Sequence, residues 1–184
     1  RINLTYTQLG DIAHVAEVKS KTGLGTVGPL MFGGCGLTLE PGAPSVARLD
    51  QVPISSDLMM IVGTFRAYPT KEMLSFSGKR ESINFWGKKT LNRILDDCSL
   101  ENFMVACKTF AFETGFATER VKKLIYSAED AGAIGAAQNM LGEAVHALVT
   151  VENLDCVHEV FKKFLPEQNI LIANIDFQGA RILG

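Results

Sequence analysis

Six glycines fall within fourteen residues of this chain, at positions 23, 25, 28, 33, 34 and 36. Lacking a Cβ, glycine lets backbone turn left-handed or come close to another group, and it weakens helices and strands that run through it. Residues 23–36 must therefore be a turn, a broken strand or a cradle. The segment before them is different in kind. Leu4, Leu9, Ile12, Val15 and Ala16 recur at helical spacing, which predicts a helix over residues 3–19, ended by the glycines from 23 to 28. His14 and Glu17 then lie three residues apart on one face of its last turns.

Beyond the glycines, Leu30–Leu39 reads as a strand interrupted by glycine, and Glu40–Pro44 (E-P-G-A-P) as a turn and candidate boundary. Leu58–Phe65 is a continuous apolar run that fits a core strand buried on both faces or a dimer seam. Helices are predicted over Glu81–Leu95, over Leu100–Thr114 with Ser99 as cap and Gly115 after it, and over Thr118–Tyr126. Ala131–Ala137 reads as a second small-residue loop leading into a helix at Ala136–Val149. Another helix covers Leu154–Phe164. Strands follow at Ile170–Ile175 and, after a turn at Gln178-Gly179, at Ala180–Leu183. The content is α+β, with helices on one face of an antiparallel sheet rather than a regular βαβ repeat.

The chain has 184 residues and a formal net charge of −2, its Lys and Arg scattered, so nothing points to a nucleic-acid footprint and no nucleic-acid partner is expected. It has no 18-residue apolar run for a membrane span and no visible signal peptide. Cys35, Cys98, Cys107 and Cys156 show no C-x-x-C pairing, so buried thiols in a cytoplasmic protein are expected rather than a zinc or disulfide framework. The first residue is Arg1, not methionine; the end of a longer protein is one reading of that.

Three constellations can carry chemistry. Thr22–Gly28 (T-G-L-G-T-V-G) can turn backbone N–H groups toward an anion, with Gly23 and Gly25 central, or serve only as a turn. No lysine follows as in a Walker loop, and the loop follows a helix, unlike a dinucleotide fingerprint. His14 and Glu17 can meet an acidic substrate and a metal-bound nucleotide, or be a packed imidazole and a solvated carboxylate. Residues 131–148 place Gly132 and Gly135 before the predicted helix, where an anion would meet free N–H groups, or where small residues merely allow tight packing. Asp176 and Arg181 can pair across the last turn, and Thr70–Glu72 can cap a helix.

Taken in order, A-H-V-A-E, T-G-L-G-x-V, Gly33-Gly34, P-G-A-P, A-Q-N-M-L-G-E-A-V-H-A-L and I-D-F-Q-G-A-R resemble the central and late motifs of pantoate kinases of the archaeal type, within the GHMP kinase superfamily. The resemblance spans essentially the whole chain. It implies the end of an N-terminal domain like ribosomal protein S5 domain 2 at residues 1–50 and a ferredoxin-like GHMP C-terminal domain at 51–184. It implies an ATP-dependent kinase using Mg²⁺ that phosphorylates pantoate to 4-phosphopantoate in coenzyme A biosynthesis. His14 and Thr38 would then contact substrate, and Glu17 would face ATP and its Mg²⁺. Gly23, Gly25, Gly132 and Gly135 would lie near the cofactor.

The chain departs from the family pattern at two positions. Thr26 stands where an aspartate acts near the acceptor hydroxyl, and threonine is no base near neutral pH. Thr38 and Glu40 stand where a basic residue would hold the pantoate carboxylate. A different acceptor or a non-catalytic ligand-binding homologue are therefore alternatives. The family's glycine–serine phosphate loop is missing from these residues, so the chain by itself is expected to be incomplete and inactive.

Overall fold

The structure is a computed structural model that describes residues 3–23, 25–68 and 80–181. The expectations at Thr70–Glu72 and at 182–183 lie outside the described residues. The chain separates into two compact units, Arg1–Ile54 together with Asp176–Gly184, and Ser55–Ile175. The expected cut after residue 50 kept everything downstream in one domain; the last stretch instead packs with the first unit.

In the first unit, α1 (Tyr6–Ser20) starts at a reciprocal cap. Thr5 Oγ1 accepts from the Gln8 amide at 3.2 Å, and the Thr5 amide donates to Gln8 Oε1 at 2.8 Å. The helix ends at Lys21, whose left-handed backbone (φ 56°) turns its N–H back onto the last carbonyls. The glycines therefore come after the stop rather than causing it. Next is a short helix, α2 (Val27–Phe32), where a broken strand was expected to begin. Pro29 lies in its first turn, where no intrahelical N–H is needed. The strand starts only at β1 (Cys35–Glu40), paired antiparallel with β2 (Arg48–Val52). E-P-G-A-P is the loop of that hairpin, not a domain boundary; the Ser45 amide ties it to Asp11 Oδ1 at 2.9 Å.

The chain's last turn closes onto this unit. The Gly34 amide donates to Asp176 O at 2.7 Å, and the Ala180 amide to Leu30 O at 2.8 Å. Gly33 (φ 70°) leaves no room for a side chain, since a Cβ there would stand 2.5 Å from Asp176 O and 2.8 Å from Gly179 N. Arg181 pairs with Asp176 at 2.6 Å, as expected, and Ala180 is not in a strand.

The second unit holds a four-stranded antiparallel sheet in the order β4-β5-β3-β6: β3 (Met59–Arg66), β4 (Gly135–Gln138), β5 (Glu143–Val149) and β6 (Ile170–Asn174). Between β3 and β4 run α3 (Arg80–Asp96), α4 (Leu100–Glu113) and α5 (Glu119–Asp130); α6 (Leu154–Phe164) joins β5 to β6. Ser99 caps α4, accepting from the Asn102 amide, as its position predicts. In α5, Val121, Leu124, Ile125 and Ala128 form a fully buried stripe at helical spacing. They meet Ile61, Ala136, Val145, Ala147, Val149, Val157 and Phe161 in one core. Leu58–Phe65 thus largely forms the central strand β3, but only Ile61 and Gly63 of that strand are buried, so the expected burial on both faces is not found. Gly63 allows α6 to cross it, since a Cβ would stand 2.6 Å from Leu165 and 2.7 Å from Phe161.

The predicted helix at Ala136–Val149 is instead the β4–β5 hairpin. Gly132 (φ 101°) ends α5, its amide donating to Glu129 O, and the Ala133 amide reaches Ala128 O. Gly135 already lies in β4, against Met104 of α4. Six of the seven β5 residues are buried, so the run shows no alternation, and a short apolar run of that kind reads equally as helix. The expected buried thiols are only partly so: Cys98 and Cys156 are exposed. Among the described residues no helix is long and apolar enough to cross a membrane.

One buried charge fastens the hairpin. The Glu143 carboxylate, at the start of β5, accepts from both Arg120 Nε (3.0 Å) and the Arg120 terminal nitrogen, from Thr118 Oγ1 (2.7 Å) and from Tyr68 Oη (3.4 Å). The Arg120 guanidinium, more than any other group, holds the carboxyl down at about 2. A depressed carboxyl stabilises the fold above its ordinary value near 4.5, and that contribution is lost as pH falls toward 2. His146, on the opposite face of β5 from Glu143, is held at about 4 by burial, so protonating it costs stability earlier, as pH falls from 6.5 toward 4. Urea unfolding followed from pH 8 to pH 3 should therefore show two successive losses, the first absent in His146→Gln. Replacing Arg120 by Ala should lower stability at pH 7 by leaving the buried Glu143 carboxylate without its cation, which the urea midpoint of the variant checks.

Candidate functional site

The first unit gathers five of the residues singled out from sequence onto α1 and the segment after it. Gly10, Ala13 and Glu17 follow one another along one side of α1, with His14 beside them at helical spacing. Gly10 and Ala13 line an apolar groove of about 700 Å³ together with Tyr6, Leu9, Val27 and Met31. Glu17 stands beyond its end, in the last turn of the helix.

The left-handed Lys21 reverses the chain there, and the Thr22 amide donates to Glu17 O at 3.2 Å. The reversal brings Thr26 back to the helix. Its hydroxyl donates to Glu17 Oε1 at 2.7 Å. Glu17 Oε2 is buried and has no hydrogen-bond partner among the described residues. A buried carboxylate oxygen without a donor is costly unless a ligand or cation satisfies it. The spacing of His14 and Glu17 was legible in the sequence; the Glu17–Thr26 bond was not, because it needs the left-handed turn at a lysine.

The two glycines of T-G-L-G-T-V-G have different roles. A Cβ on Gly23 would stand 2.9 Å from Glu17 Oε1 and 3.1 Å from Thr26 Oγ1, inside the space their hydrogen bond occupies. Gly25 has nothing within 4 Å of a Cβ among the described residues. Gly23 is thus needed by close approach, whereas Gly25 faces open space on a loop.

The remaining sequence candidates lie on other elements. Thr38 is half-buried in β1, opposite Leu49. Gly132 and Gly135 belong to the second unit. Gly132 accommodates Asn153, whose Nδ2 donates to Gly132 O at 3.0 Å, and Gly135 accommodates Met104. The helix N-terminus on which their anion-binding reading rested does not exist. Sequence reasoning missed Tyr6, whose hydroxyl lies 2.9 Å from Met31 O and 2.8 Å from Ala180 O and joins α1 to α2 and the last turn.

As a metal site the set is sparse: among the described residues no group of three His, Cys, Asp or Glu side chains could hold an ion. Mg²⁺ is commonly held by one or two carboxylates plus phosphate oxygens and water. The unsatisfied Glu17 Oε2 fits such a shared ion.

These features give a direct expectation. Gly25→Ala should change stability by less than about 0.5 kcal/mol, as exposed substitutions usually do. Gly23→Ala should displace the Glu17 carboxylate from Thr26, which a crystal structure of the variant would show as loss of the 2.7 Å contact.

No protein-family model matches the sequence. The chain is 30% identical over 165 residues to a pantoate kinase of Methanocaldococcus jannaschii, a match covering 90% of this chain and 57% of that protein. It is 28% identical over 166 residues to a pantoate kinase of Thermococcus kodakarensis, covering 90% of this chain and 53% of the relative. Among solved structures, one described as a phosphotransferase related to the CoA biosynthesis pathway superimposes with a TM-score of 0.78 at 25% identity, over 97% of this chain and 57% of that one. The chain is therefore similar in sequence to pantoate kinases and in fold to a phosphotransferase of the CoA pathway, and it spans a little over half the length of each.

Proposed function

We propose that this chain is part of an ATP-dependent small-molecule kinase of the GHMP type, acting on pantoate or a closely related hydroxy acid in coenzyme A biosynthesis. The observation that carries the reading is the similarity to two pantoate kinases over 90% of the chain; we assign the Mg²⁺-facing carboxylate to Glu17, whose Oε2 is buried without a partner among the described residues. The sheet order β4-β5-β3-β6, with strand, helices, hairpin, helix and strand in sequence, supports a ferredoxin-like C-terminal domain. The first unit, with the chain's last turn folded onto it, is the segment we assign to the end of an S5-like N-terminal domain. Free thiols at Cys35, Cys98 and Cys156 fit a cytoplasmic setting.

In this reading ATP brings the phosphoryl group and its Mg²⁺, and the chemistry rests mainly on positioning and charge. Glu17 would take one cation position through Oε2. His14, beside it on α1, would face the acceptor. Gly23 keeps the space around the carboxylate open. Thr26 cannot remove the acceptor proton, because its own proton is given to Glu17 and a threonine hydroxyl is no base near neutral pH. A loose phosphoryl-transfer transition state needs little base assistance, so transfer does not depend on one.

Thr38 favours a second reading of the acceptor. With threonine in the place expected to bind a carboxylate, the charge-assisted contact to an acid is lost, and a neutral alcohol becomes the better fit. A polypeptide carrying residues 1–184 together with the remainder that the relatives have should convert MgATP and pantoate to ADP and 4-phosphopantoate. A parallel panel of hydroxy acids and neutral alcohols ranks acceptors by kcat/KM. Residues 1–184 alone should show no turnover. Failure of the longer polypeptide to bind MgATP would sink the kinase reading, and binding without turnover on any acceptor would leave a ligand-binding homologue.

A further inference from the structure

Thr26 occupies a position where a kinase of this type is expected to carry a carboxylate, yet its hydroxyl is already engaged. It donates to Glu17 Oε1 at 2.7 Å, while Glu17 Oε2 stays buried and without a partner among the described residues. Thr26 also stands at the N-cap of α2, where threonine commonly accepts from the backbone, but it makes no side-chain cap bond. Its hydroxyl is directed away from its own helix and toward Glu17. Gly23 completes the arrangement by leaving empty the one place from which a side chain would wedge the pair apart.

We propose that Thr26 is a positioning residue for Glu17. By holding Oε1, it fixes which carboxylate oxygen is left to face a divalent cation carried by a phosphate ligand. This rests on the reading of Glu17 as the cation-facing group. A glutamate carboxyl is nearly free to rotate about its last torsion, and one hydrogen bond to one oxygen removes that freedom. Threonine supplies orientation without charge. Aspartate in its place would supply charge without the bond, because two carboxylates so close repel unless a cation lies between them. The site with threonine therefore carries one negative charge, holds a free divalent ion weakly, and relies on phosphate oxygens for the rest of the coordination.

The test uses the chain itself and a probe that needs neither nucleotide nor turnover. Mn²⁺ alone is titrated into the ¹⁵N-labelled protein, and paramagnetic broadening of the Gly23, Gly25 and Thr26 amides is followed. The wild type should broaden there first, and Glu17→Gln should abolish the effect. Thr26→Val should need about tenfold more Mn²⁺, the usual loss when a group that orients a metal ligand is removed, and Thr26→Ser should restore the wild-type response. Thr26→Asp should need less Mn²⁺ than the wild type. A residue that only supported the fold would leave the response of a folded Thr26→Val unchanged. A folded Thr26→Val within about twofold of the wild type overturns the positioning role, since oriented ligands lose far more than that. So does a folded Thr26→Ser variant that fails to keep the wild-type response, since serine retains the hydroxyl that bonds Glu17 Oε1, and this also decides the matter should Thr26→Val fail to fold. Absence of broadening in the wild type, or its persistence in Glu17→Gln, removes Glu17 as the cation-facing group and the proposal with it. Failure of phosphoryl transfer in the longer polypeptide, with the Mn²⁺ pattern intact, removes the kinase reading and leaves the Thr26–Glu17 relation standing.

Discussion

The first unit depends on one backbone-to-backbone contact between segments more than 140 residues apart in sequence. The turn at Asp176–Ala180 lies on the end of α2: the Gly34 amide donates to Asp176 O and the Ala180 amide to Leu30 O. Only glycine tolerates such proximity, which is why Gly33, Gly34 and Gly179 all have φ near 70° and why two of them would drive a Cβ into backbone. A helix as short as α2 is marginal in isolation, so the partners of its last carbonyls come from elsewhere: the Ala180 amide and the Tyr6 hydroxyl. The turn is itself tightened by Asp176, whose carboxyl the Gln178 amide and the Arg181 guanidinium hold below its usual range.

What this contact secures is the position of Thr26. The N-terminus of α2 lies directly after the loop that returns from α1, and the Thr26–Glu17 bond closes that loop. The chemistry of the candidate site is therefore supported from two sides: by the left-handed lysine that ends α1, and by the distant turn that holds α2. The second unit is built on another principle, a fully apolar layer between α5, α6 and the sheet, with charge admitted at Glu143 only because Arg120, Thr118 and Tyr68 meet it.

Much of this was legible in residue order. The stripe in α5, the cap at Ser99, the central strand at Leu58–Phe65 and the helical spacing of His14 and Glu17 follow from periodicity and local chemistry. The hairpin at residues 135–149 did not, because both faces of β5 are covered and alternation vanishes when neither face meets water. Likewise α2 was hidden. Its glycines and proline read as broken strand, and only the docking turn makes a helix there favourable.

The sequence by itself determined the α+β class, the likeness to pantoate kinases and the residues worth watching, since these rest on order, spacing and side-chain type. The tertiary structure decided which glycines matter and for what reason: Gly33 and Gly179 for a backbone contact, Gly23 for a carboxylate, Gly132 and Gly135 for packing, and Gly25 for none of these. It also decided the role open to Thr26. A threonine hydroxyl can cap, accept or donate, and its choice is set by what stands 2.7 Å away, which no local sequence rule specifies.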